Sequence, residues 1–145
     1  MTRADLVAAA RTYLGVPWKH YGRTRNGVDC VGLIVLSLED AGAPVEDSRV
    51  YGKMHRNGDL MEALRGRADR RVAINRTLPG DVLTFAYGKY QCHVGFVAEK
   101  DGQRTVIHAY NRPDEQFPST VIEEPLEGYL WSLARSAFVP RGLED

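Results

Sequence analysis

The sequence predicts an α+β fold, a helical first part laid against a small antiparallel sheet made by the second. Three observations carry this. Apolar residues recur at helical spacing in the first part of the chain. Beyond the turn "LPGD" (78–81) the period changes to short runs rich in β-branched and aromatic residues. Asp101-Gly102, between two of those runs, is a strong hairpin signal. With 145 residues the chain is read as one domain, 1–145, long enough to bury a hydrophobic core.

Each element has its own local cause. Thr2 and Asp5 form a capping box for a first helix, whose face is Leu6, Ala9, Ala10, Tyr13 and Leu14 and whose stop is Gly15. Residues 15–29, with Pro17, Gly22 and Gly27, read as a loop. Asp29 caps a second helix from about Cys30 to Ala41, with Gly42 as its stop. Val31, Leu33, Ile34, Val35, Leu36 and Leu38 make that helix apolar nearly all round, so it belongs inside the domain. Residues 43–58 read as irregular, and a short helix is expected around Leu60 to Leu64. Strands are expected at 82–87, 93–99 and 104–110, with weaker ones at 120–122 and 136–139.

Composition excludes several classes. Nineteen basic and nineteen acidic side chains cancel, so no electrostatic footprint for nucleic acid is expected. No apolar run approaches the roughly 20 residues that span a bilayer. Asp5 and Arg11 interrupt the start where a signal peptide needs an apolar stretch, so synthesis in the cytoplasm without a signal peptide is expected. The two cysteines do not make a disulfide framework.

Cys30 opens the apolar helix directly after Asp29, and on position alone it could be packing, a metal ligand or a nucleophile. The strands hold a further clue. A two-residue turn at Asp101-Gly102 sets His93 opposite Tyr110 and Gly95 opposite His108. His93 and His108 then share one face as diagonal neighbours, roughly 7–8 Å apart at the backbone, with Gly95 leaving room beside them. Cys92 points to the other face and reads as packing. A zinc site from Cys30, Cys92, His93 and His108 lacks any Cys-x-x-Cys or His-x-x-x-His pair, so no metal is expected, and no cofactor either. His55 lies in the polar "KMHRNGD" and reads as exposed, Tyr13 and Trp18 as anchors, and the basic run "RGRADRR" (65–71) as a solvated face.

The segments "YLGVPWKHYGRTRNGVDCVGL" (13–33), "LPGDVLTF" (78–85), "HVGFV" (93–97) and "VIHAY" (106–110) resemble, in order, the motifs of the NlpC-type cysteine peptidases, papain-like enzymes that cut bacterial cell-wall peptides. The resemblance implies Cys30 as nucleophile, His93 as its base and His108 as the orienting third residue. It implies a papain-like NlpC fold with the nucleophile's helix on a small antiparallel sheet, and Asp29, His20 and Tyr21 at the substrate. Val31 stands where the family often has serine, and His20 where it commonly has tyrosine. The forms "PWKHY…DCVGL" and "SAFVPRG" resemble the branch found in phage tails and gene transfer agents. The implied partners are peptidoglycan stem peptides, cut at the γ-D-glutamyl–diaminopimelate bond, and phage-like tail or baseplate proteins, with action in the periplasm or cell wall. A structural tail component, and amidase or acyl-transfer chemistry on the same triad, are the alternatives.

Overall fold

The computed structural model describes residues 1–43, 68–87, 91–111 and 119–144, with Gln91 and Cys92 described by backbone alone. Helix α1 (Arg3–Arg11) starts where the capping box put it: Thr2 Oγ1 accepts the Asp5 N–H, and the Asp5 carboxylate accepts the Thr2 N–H, both at 3.0 Å. It ends at Thr12, three residues before Gly15, and Tyr13 turns inward. The Tyr13 hydroxyl donates to Asp40, and burial with that carboxylate pushes the phenol up to about 12.

The stretch read as a loop holds a short hairpin, β1 (Arg23–Thr24) and β2 (Gly27–Val28). Helix α2 (Cys30–Asp40) follows, with Asp29 as cap, and buries Val31, Leu33, Ile34, Val35 and Leu38. Such a helix is held by what surrounds it; burying each large aliphatic side chain is worth about 1.5–3 kcal/mol.

Among the described residues, the main sheet is six-stranded and antiparallel throughout. Its strands are β3 (Ala68–Val72), β4 (Val82–Ala86), β5 (Gln91–Lys100), β6 (Gln103–Ala109), β7 (Val121–Pro125) and β8 (Ala134–Pro140), in the spatial order β3-β8-β4-β5-β6-β7. The α+β class is as the sequence predicts. Three features go beyond that reading. Strand β3 occupies part of the basic run; its arginines are exposed, as a solvated stretch requires, but its backbone pairs with β8 at the sheet edge. Strand β8 is interior, between β3 and β4. A one-turn helix, α3 (Gly128–Ser132), precedes β8. The helix expected at 60–64 and His55 lie outside the described residues, as does the side chain of Cys92.

Alternation along the strands makes two cores. Val82, Val94, Phe96, Ala98, Ile107 and Ala109 lie under α1 and α2. Leu83, Phe85, Val97, Val106 and Ala137 form the second core on the other face. Among the described residues, no helix is long and apolar enough to cross a membrane.

Candidate active site

The β5–β6 register follows from its turn. Asp101 and Gly102 both take positive φ, 54° and 78°, the conformation of a tight hairpin turn matched to strand twist. Lys100 therefore pairs with Gln103, and the ladder runs unbroken to Phe96 opposite Ile107. Continuing it places Gly95 opposite His108, and the two histidines become diagonal neighbours on the face away from α2. Their rings meet: His93 Nε2 lies 2.7 Å from His108 Nδ1, with ring centroids 4.9 Å apart. Both are buried, His108 completely.

Gly95 makes this closeness possible. A methyl group there would fall 2.9 Å from His108 Cβ and 2.8 Å from Val106 Cγ2, inside any normal contact. Phe85 backs both rings at 5.7 and 6.4 Å, and Tyr110 stands 5.4 and 5.3 Å from them. His108 Nε2 is in turn 2.8 Å from Glu124 Oε2. Glu124 pairs with Val106 across β6–β7, so it is the diagonal neighbour of His108 on the same face. The sequence reasoning missed Glu124. The signal was present only in the alternation of β7, a strand too weak in pattern to assign a register.

Cys30 is the first residue of α2 and is buried. The segment before it is tied to the sheet: Pro17 bridges Thr120, the Trp18 N–H donates to Ser119 O, and the Val28 N–H donates to Pro17 O. Thr120 O accepts from the Tyr110 N–H. The first turn of α2 thereby stands at the end of the sheet where β5 begins and β6 finishes, the end that carries His93.

Asp29 is fully engaged within the chain. Its Oδ1 accepts from the Gly32 N–H at 2.7 Å, capping α2, and from Arg23 Nη1 at 3.0 Å; its Oδ2 accepts from the Tyr21 N–H at 2.9 Å. Both the carboxylate and the guanidinium are buried, so Arg23 offsets a negative charge that would otherwise oppose a thiolate one residue away. The same hold fixes Tyr21 at φ 61°, unusual for a non-glycine residue. Tyr21 is exposed and stacks on His20 at 3.9 Å, and His20 on Trp18 at 6.4 Å. His20, Tyr21 and Trp18 thus form one aromatic ledge leading to the start of α2. On the imidazole side lies a cavity of about 440 Å³, lined by Tyr87, Tyr110, His108, Glu124, Glu127 and Tyr129 among others.

Residues 15–131 match the NlpC/P60 family. The chain belongs to that family. The NlpC/P60 match takes in Cys30, both histidines and Glu124; α1 and β8 fall outside it. Solved NlpC/P60 structures share the fold. The NlpC/p60 domain of the peptidoglycan hydrolase SagA aligns with TM-score 0.64 at 20% identity, covering 95% of this chain and 98% of that one. An NlpC/P60 family protein from Bacillus cereus ATCC 10987 gives 0.65 at 22% identity, covering 95% of this chain and 40% of its own. A protein titled as similar to lipoprotein, NLP/P60 family, from Staphylococcus aureus subsp. aureus Mu50 gives 0.64 at 19%, covering 99% and 42%. The chain therefore spans about two-fifths of the last two. A comparison with curated protein sequences gave no match.

Proposed function

We propose that this NlpC/P60 chain is a cysteine endopeptidase that hydrolyses peptidoglycan stem peptides. The observation that carries the reading is the hydrogen-bonded imidazole pair at the sheet end where a cysteine opens α2.

A thiol with its ordinary pKa near 8.5 is mostly protonated at neutral pH, and the thiolate is the nucleophile. Cys30 stands in the first helical turn, where the helix dipole favours negative charge. His93 Nε2 is engaged by His108, which leaves Nδ1 to serve the thiol. The thiolate attacks the scissile carbonyl, and the backbone N–H of Cys30 supports the oxyanion. The imidazolium of His93 gives its proton to the leaving amine as the C–N bond breaks, forming a thioester. Water then attacks the thioester, His93 takes its proton, and the thiol is released. His108 holds the ring of His93 throughout. Asp29 shapes the approach by fixing Tyr21 and Arg23, and the ledge of Trp18, His20 and Tyr21 flanks the stem peptide.

The γ-D-glutamyl–diaminopimelate bond is the proposed target. The resemblance of "PWKHY…DCVGL" and "SAFVPRG" to the phage-tail and gene-transfer-agent branch supports carriage by a phage-like tail, with action in the periplasm or cell wall during DNA entry. The test is to incubate the chain and Cys30→Ala with purified sacculi and resolve released muropeptides by mass spectrometry. Release by the parent chain alone, with a new free amine at diaminopimelate, is expected. No release from either chain, with stable binding to tail proteins, would favour a structural role, and a product joined to an added amine would indicate transfer.

A further inference from the structure

We infer that Glu124 is a positioning residue for the imidazole pair, setting which nitrogens carry protons in both rings; this rests on the hydrolase reading above. An ionised carboxylate only accepts hydrogen bonds, so its partner 2.8 Å away, His108 Nε2, carries the hydrogen. A neutral His108 then presents Nδ1 as an acceptor, and the 2.7 Å contact obliges His93 Nε2 to donate. The lone pair of His93 is left on Nδ1, the nitrogen assigned to the thiol. One carboxylate thus orients two rings in sequence, as an outer partner does for a metal-bound or catalytic histidine.

The surroundings keep Glu124 charged. Its side chain is 35% exposed, on the wall of the open cavity, whereas His108 is 0% exposed. Part of the side chain thus reaches the open cavity while Oε2 faces the ring. Moving the Nε2 proton of His108 to Glu124 would place the negative charge on a fully buried ring, so the carboxylate is the group that stays ionised. Among the described residues, the titratable groups around the pair are Tyr87 after β4, Tyr110 after β6 and Glu124 on β7, with Glu127 and Tyr129 farther along the cavity; Cys30 at the start of α2 is the thiol of the proposed reaction. Of the two carboxylates, Glu127 is engaged by Gln103 at 3.2 Å. Among the described residues, Glu124 is therefore the carboxylate in contact with the rings. It favours the imidazolium that must form beside the thiolate.

The experiment compares the full chain with Glu124→Ala and Glu124→Gln, checking each fold by thermal unfolding. Imidazole ¹⁵N NMR reads the tautomer, iodoacetamide alkylation of Cys30 against pH reads the pair, and muropeptide release reads turnover. His108 is expected as the Nε2–H tautomer in the parent and as a mixture in Glu124→Ala, with kcat/KM lowered about 10- to 100-fold. Glu124→Gln, whose carbonyl still accepts, is expected to restore the tautomer and most of kcat/KM. Both variants lose the negative charge, so the imidazolium deprotonates at lower pH and the alkaline limb moves down. An unchanged His108 tautomer in Glu124→Ala overturns the inference whether or not the parent hydrolyses wall peptides. A parent without hydrolysis, whose His108 tautomer still changes in Glu124→Ala, overturns the hydrolase reading alone.

Discussion

Glu123 and Glu124 are neighbours in sequence and serve opposite faces of one sheet. Glu123 faces the helices: it accepts from Arg11 of α1 at 2.9 Å through both oxygens and from Thr105 at 2.7 Å. Glu124 faces the imidazoles and accepts from His108. The pleat separates a carboxylate that pins a helix from one that orients a ring pair. The same division runs along β5, where Val94 and Phe96 fill the helix-side core while His93 and Gly95 build the site. From His93 to Phe96, helix-side packing and site residues therefore alternate, and substitutions one position apart there should report on different properties.

The sharpest contrast pairs His93→Gln with Phe96→Ala. The first keeps a donor toward His108 and removes the proposed base, so turnover should fall about 10²–10⁴-fold with the unfolding midpoint little changed. The second should cost about 3–5 kcal/mol in urea unfolding while the remaining folded molecules keep the parent's pH profile for Cys30 alkylation. Equal losses of both properties in both variants would break the division.

Gly95→Ala tests the site face for space. The added methyl meets His108 Cβ and the Ile107 carbonyl oxygen, both at 2.9 Å, so the strands or the ring must shift. A loss of about 1–3 kcal/mol is expected, with a changed His93–His108 contact seen in imidazole NMR. Normal stability with an unmoved ring pair would mean that the close approach is not needed.

The smallest effect belongs to Glu123→Gln. The hydrogen bond from Arg11 is the main reason the Glu123 carboxyl is held below its ordinary value of 4.5, with Thr105 helping and burial opposing. A depressed carboxyl contributes stability above its unfolded pKa and loses it as pH falls through the folded value. Glu123→Gln should then cost about 1 kcal/mol at neutral pH, since Arg11 is partly exposed, and should flatten the acid limb of stability. An unchanged acid limb in thermal melts from pH 7 to 3 would remove the pair from the account.

Legibility followed range. The first two helices could be read because caps and apolar spacing act within a turn or two: Thr2 with Asp5, and Asp29 with Gly32. The histidine pair could be read because Asp101-Gly102 sets a register that alternation carries outward. Strand β3, "ADRRV", was hidden because an edge strand tolerates the charges that make a segment look like loop. Strand β8 was faint because Arg135 and Ser136 interrupt its apolar run, although its pairing with β3 and β4 makes it interior. The hairpin of β1 and β2 has too few residues to show a period.

By itself, the chain's order of residues determined where helices begin, how one hairpin turns, and that two imidazoles share a face, since each depends on neighbours a few bonds away. Tertiary structure decided that β3 and β8 extend the sheet, that Asp29 is held by Arg23 and Tyr21, and that Glu124 rather than Glu123 meets His108. These depend on which strand lies beside which. A pleat turned by a single residue would exchange the two glutamates without altering any local preference.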